Sequence, residues 1–154
     1  MITRAVVVGL MSGDKVCLLR RASNSDWEPN AWHMPGGTVE DDEEVQKAAV
    51  REIKEETGVL VKESDLIFLG VAIYRETKGR DVSVYFFATK KWTGQPEVCE
   101  PDKTRDIMWC DVAGMPKSVP AHAMRVFGDL SASHFLELRD GVVIYETKGV
   151  THEG

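Results

Sequence analysis

The chain has 154 residues, a length that suits one domain over residues 1–154 with its own buried core. Hydrophobic residues make up 43% and charged residues 29%, the proportions of an ordinary water-soluble fold. A formal net charge of −6 excludes the broad basic surface that grips duplex nucleic acid, so a polyanionic partner would have to be drawn in by a few local cations.

In chain order, residues 5–11 and 16–19 are apolar runs separated by Ser12-Gly13-Asp14, which predicts a hairpin. The first run is too short for the core of a secretory signal, and no stretch is long enough to span a membrane, so no membrane partner is expected. Cys17, Cys99 and Cys110 form neither a CxxC pair nor a zinc spacing. Reduced thiols and a cytoplasmic location are the expectation.

A polar loop over 22–30 leads through Trp32-His33-Met34 into Pro35-Gly36-Gly37. Residues 42–57 lack Gly and Pro and predict a helix, with Asp41 as N-cap, Glu44 as its capping-box partner and Gly58 as the stop. Two β-rich runs, 66–74 and 82–88, flank Lys78-Gly79-Arg80-Asp81 as a second hairpin. A strand over 107–112 follows. A helix over 120–130 has Ala123, Met124, Phe127 and Leu130 spaced for one face. Asp140-Gly141, between 135–138 and 142–145, gives a third hairpin. The class is α/β, with a mixed sheet covered on both faces.

The acidic helix carries the chemistry. At about 100° per residue, Glu52, Glu55 and Glu56 project within an arc of roughly 100°. Val45, Ala48 and Ala49 lie on that same side, whereas Gln46, Lys47 and Lys54 lie opposite with only Val50 among them. A plain solvated acidic face is the alternative. A stripe that is apolar first and acidic later instead docks on the protein and leaves its acids in a crevice, where like charges are costly unless a cation lies between them. Hard oxygen donors of this kind suit Mg²⁺, with Mn²⁺ as a substitute.

From Gly37 to Val59, seven fixed positions (Gly37, Glu43, Arg51, Glu52, Glu55, Glu56 and Gly58) are filled, with Ile53 and Val59 in two apolar slots. Chance filling has a probability on the order of one in ten million. The window resembles the Nudix hydrolase box, preceded by the family's Pro35-Gly36-Gly37. That resemblance implies an α/β/α sandwich with a central mixed sheet. It also implies metals held by the Gly36 carbonyl and by Glu52, Glu55 and Glu56, with Glu52 as a proton acceptor in some members. Gly37, Glu43, Arg51 and Gly58 become structural parts of the box.

Arg20-Arg21-Ala22 is similar to the RRA segment of MutT-type members, which implies a phosphate or nucleoside contact from Arg20 or Arg21; a surface salt bridge is the alternative. Glu100 falls in a loop where many members carry an extra acid, and Glu97 competes with it. A nucleobase needs an apolar or aromatic wall, and Trp27, Trp32, Met34, Trp109 and His122 are available. The implied activity is Mg²⁺-dependent hydrolysis of a pyrophosphate linkage in a nucleotide, foremost a normal or modified nucleoside triphosphate giving monophosphate and pyrophosphate. Dinucleoside polyphosphates, for which Tyr74 speaks, and nucleotide sugars are alternatives, as is a non-catalytic nucleotide sensor. The missing proline between Pro35 and Pro96 speaks against ADP-ribose. Oligomeric state stays open.

Overall fold

The computed structural model describes residues 2–150. β1 (Thr3–Ser12) and β2 (Lys15–Arg21) form the first expected hairpin, yet they pair only at Met11↔Val16 and Ser12↔Lys15 before diverging. β2 turns away to pair with β3 (Trp32–His33) and β7 (Thr104–Asp111). The edge of β1 left free is taken by the short antiparallel β4 (Gly36–Thr38), while its other edge runs parallel to β6 (Val82–Thr89). β5 (Ile67–Arg75) pairs with β6 as the second hairpin, and β8 (Ala132–Arg139) with β9 (Val142–Val150) as the third. Among the described residues the result is one nine-stranded mixed sheet, seven strands of which run in the order β3-β2-β1-β6-β5-β8-β9, with β4 added on β1 and β7 on β2.

The sheet buries both faces because its central strands carry apolar side chains at successive positions. Phe87 belongs to the core that holds Val6, Val8 and Leu10 against Ala48, Ala49 and Ile53 of α1 (Val45–Thr57). Its neighbour Phe86 points the other way, into the core built with Ala123, Val126 and Phe127 of α2 (Ala121–Phe127). Adjacent residues of one strand face opposite sides, so α1 and α2 cover opposite faces as the sequence implies. Phe127 meets Phe86 edge-on at 6.0 Å and is fully buried, a contact whose loss to alanine costs about 3–5 kcal/mol.

Two helix boundaries differ from expectation. α1 begins at Val45 rather than Asp42, because Asp42 takes a positive φ of 63° and cannot be helical. Asp41 therefore does not cap it, and Glu44, the N-cap residue, makes no side-chain cap bond. Gly58 does end the helix in the left-handed region, with φ 79°, its N–H donating to the Lys54 carbonyl at 2.9 Å. α2 stops at Phe127 rather than Leu130, and Ser131 instead binds Asp129 Oδ1 in the turn into β8. Among the described residues no helix is long and apolar enough to cross a membrane.

Candidate active site

Residues 35–37 cross β1 at very short range. A side chain on Gly36 would drive into the Val6 carbonyl, and one on Gly37 into the Glu52 carboxylate. The two glycines thus bring the acidic half of α1 down onto β4. The Glu56 carboxylate accepts the Gly36 N–H at 3.2 Å, and Glu52 lies over Gly37 with only 13% of its side chain exposed.

Arg51 fixes one flank. Its Nε and Nη2 donate to the two oxygens of Glu43 at 2.8 and 2.9 Å, Nη1 donates to Glu52 at 2.9 Å and to Glu55 at 3.3 Å, and Nη2 also reaches the Thr38 carbonyl at 3.1 Å. The fork is a bidentate ion pair, the geometry in which guanidinium and carboxylate match best. Glu43 in turn accepts the Glu40 N–H at 3.0 Å, so it ties the loop to the helix it precedes. Its carboxyl is held down at about 2, chiefly by Arg51.

The three acids of the helix do not share one environment. Glu52 and Glu56 turn inward, whereas Glu55 has 47% of its side chain exposed and stands at the rim. Burial pushes Glu56 up to about 8, with the Glu52 charge and then that of Glu100 adding to it. Burial raises Glu52 as well, against the pull of Arg51. Glu100 therefore belongs to this acid group, although it also pairs with Lys103 at 3.5 Å. Glu97 is not among the charges that raise Glu52 and Glu56, whereas Glu100 raises both.

These donors fit a hard divalent cation: they are carboxylates, they repel one another, and a single guanidinium on one flank leaves the group under-neutralised. Among the described residues no three His, Cys, Asp or Glu side chains are drawn together as a finished cation cage.

A cleft of about 330 Å³ adjoins the acids. Glu56, Gly36, Gly37 and Arg21 line it together with apolar Met34, Val84, Phe86 and Pro120. Among the described residues, Arg21 Nε is the one buried side-chain nitrogen or oxygen without a hydrogen-bond partner, and its charge is felt at both Glu56 and His33.

The other candidates divide. Met34 lines the cleft; Arg20, Trp32 and His122 do not. Arg20 points to the opposite side of β2, where Nε donates to the Asn30 carbonyl at 3.0 Å and the guanidinium lies 5.7 Å from the Trp32 ring centre. Trp32 packs into the α2-side core. His122 is buried behind the wall, 2.6 Å from the Tyr74 hydroxyl. Trp27 is 66% exposed, and Trp109 stacks on Trp92 at 5.9 Å. His33, Tyr74 and Ser118 line the cleft and escaped the reading of the base wall. For His33 the sequence says only that neighbours in an extended segment face opposite sides, which parts it from Trp32 without saying which of the two enters the cleft; Ser118 carried no signal.

The family model described as "NUDIX domain" matches residues 1–128. An 8-oxo-dGTP diphosphatase of Buchnera aphidicola is 36% identical over 56% of this chain and 64% of its own length. An ADP-ribose pyrophosphatase of Methanocaldococcus jannaschii is 36% identical over 72% of this chain and 63% of its own length. The chain thus spans just under two thirds of either relative. The crystal structure of a MutT NUDIX hydrolase from Burkholderia pseudomallei superposes with a TM-score of 0.69 at 25% identity, covering 82% of this chain and 95% of that one. A MutT protein from Bacillus halodurans matches with the same TM-score at 18% identity, which speaks for the fold alone. With the family model spanning most of the chain, the protein belongs to the NUDIX domain family.

Proposed function

We propose that the chain is a divalent-cation-dependent hydrolase of a pyrophosphate linkage in a nucleotide. The leading substrate is a nucleoside triphosphate, normal or modified, cleaved to monophosphate and pyrophosphate. One observation carries this reading: the Glu56 carboxylate, crowded by Glu52 and Glu100, and an arginine whose buried Nε has no hydrogen-bond partner line one largely apolar cleft. Glu52, Glu55, Glu56 and the Gly36 carbonyl are the groups to hold Mg²⁺, or Mn²⁺ in its place. Bound there, the cation would offset charge on phosphate oxygens and acidify water.

The remaining work falls to the chain's own side chains. Arg21 has its Nε–H free for a phosphate oxygen. Arg51, anchored by Glu43, holds the Glu52 carboxylate in one orientation. Glu52 and Glu100 are the candidates to take the proton of the attacking water, and burial raises the basicity of the first. Met34, Val84 and Phe86 offer the apolar surface on which a base can lie and from which water is excluded.

The names of the Buchnera relative and of a Bacillus subtilis relative, "Putative 8-oxo-dGTP diphosphatase", support a triphosphate. The name of the Methanocaldococcus relative favours a second reading, a nucleoside diphosphate joined to a sugar.

A panel of nucleoside triphosphates, ADP-ribose, dinucleoside polyphosphates and nucleotide sugars, tested with Mg²⁺ and with Mn²⁺, separates these readings from a sensor, which binds and releases nothing. In ¹⁸O-water, mass spectrometry then shows which phosphorus is attacked. Release of orthophosphate and diphosphate from every triphosphate would overturn the proposed cleavage to monophosphate and pyrophosphate.

A further inference from the structure

Three polar side chains on the cleft wall have already committed their protons elsewhere. His33 lies with Nδ1 2.9 Å from the Met34 carbonyl, which can only accept, so Nδ1 carries the hydrogen and the free lone pair is on Nε2. Burial and the neighbouring Arg21 charge keep that ring neutral, with its pKa pulled down to about 4. Ser118 donates its hydroxyl hydrogen to the Trp32 carbonyl at 2.8 Å. Tyr74 Oη lies 2.6 Å from His122 Nε2. In that pair the phenol is the more acidic group and the imidazole nitrogen the more basic, so the O–H donates to the ring. Burial keeps the phenol protonated and holds His122 neutral.

What the three groups still offer to the cleft is lone pairs: Nε2 of His33, Oη of Tyr74 and Oγ of Ser118. Arg21 is the exception: its field reaches both His33 and Glu56, and its Nε–H is the donor left for a phosphate oxygen. The apolar surfaces beside these acceptors belong to Met34 and Phe86. A ligand edge that brings hydrogen-bond donors is matched here. One that brings a carbonyl oxygen sets lone pair against lone pair and leaves desolvated acceptors unpaired.

The geometry points to recognition of a nucleobase through its exocyclic amine, so that guanine, adenine and cytosine are taken in preference to hypoxanthine, uracil and thymine. This specificity rests on the nucleotide-hydrolase reading and sharpens it. Base edges differ in this respect: guanine, adenine and cytosine each present an amino group where hypoxanthine, uracil and thymine present a carbonyl or nothing. Sites built to hydrogen-bond a group discriminate strongly against an analogue that lacks it.

The test compares kcat/KM for dGTP against dITP and for CTP against UTP. Separately, calorimetry without metal compares binding of GMP and IMP. The amine-bearing member of each pair should be favoured about tenfold or more, with the difference carried in KM, and GMP should bind more tightly than IMP. Tyr74→Phe and Ser118→Ala, each checked for an unchanged thermal melt, should narrow the dGTP-to-dITP ratio several-fold. An amine-free base that matches its counterpart in either pair overturns the assignment. So do GMP and IMP that bind alike or not at all. If no triphosphate is hydrolysed, the hydrolase reading fails while the GMP–IMP comparison still decides the specificity of the cleft.

Discussion

Replacing Glu43 by Gln keeps the size of the side chain and removes the charge that anchors Arg51. In the folded protein that carboxyl is held near 2 instead of its ordinary 4.5, which corresponds to an upper bound of about 3 kcal/mol of stabilisation. Solvent reaches 15% of Glu43 and 23% of Arg51, so screening lowers the figure to about 2 kcal/mol, between an exposed pair and a buried one. For a chain of this length that loss lowers Tm by about 4–8 °C. The sign of the pH dependence is fixed as well. A depressed carboxyl stabilises fully above pH 4.5 and loses its contribution as pH falls through about 2. Urea unfolding of the two proteins should therefore show the widest gap at neutral pH and a closing gap in acid. Because Arg51 also holds Glu52, kcat should fall several-fold with KM little changed. A stability loss under about 0.5 kcal/mol at pH 7, or a gap constant down to pH 2.5, would refute the anchoring role.

Glu56→Gln should fold normally yet lose more than about nine tenths of kcat/KM, because it keeps the shape and removes a charge the cation needs; retention above that level argues against a central role. Millimolar Mg²⁺ or Mn²⁺ should raise Tm in the wild type, by binding the folded acid group and displacing the proton that burial leaves on Glu56, and less in Glu56→Gln, as differential scanning fluorimetry would show. Gly37→Ala should cost more activity than stability, since the added methyl meets the flexible end of Glu52; circular dichroism beside a turnover assay checks the split.

Much of this was legible because the signals were redundant. Three hairpins rest on turn residues flanked by β-rich runs, and all three formed. The box spacing located α1, Gly36 and Gly37. Its start was misread because Asp41, Asp42 and Glu43 form an acidic run with the composition of a first helical turn. The positive φ of Asp42 arises from a tertiary need: Glu43 must swing back to Arg51. β3 and β4, two and three residues long, have no periodicity to detect and exist because β1 and β2 diverge. Alternation says that Arg20 and Arg21 part company, yet which of them enters the cleft depends on how β2 twists away from β1. The same holds for Trp32 and His33. Glu55 could not be told from Glu56 by angle alone, since a quarter turn is within the arc that docking leaves uncertain.

The fold also explains why the acids sit at the C-terminal half of α1. Ala48 and Ala49 are the small residues that let the helix approach the sheet, and Ile53 fills the gap beneath. Once the backbone is that close, Glu52, next to Ile53, and Glu56, one turn beyond it, are both partly withdrawn from bulk water. An apolar residue at either place would pack more cheaply, because buried like charges oppose folding. Arg51 offsets only the flank it can reach, that of Glu43, Glu52 and Glu55, and Glu56 is left with a backbone N–H and the field of Arg21. The sequence therefore maintains an electrostatic cost that its own basic residues do not cancel. A cation carried with an anionic substrate would cancel that cost, as the proposed function requires.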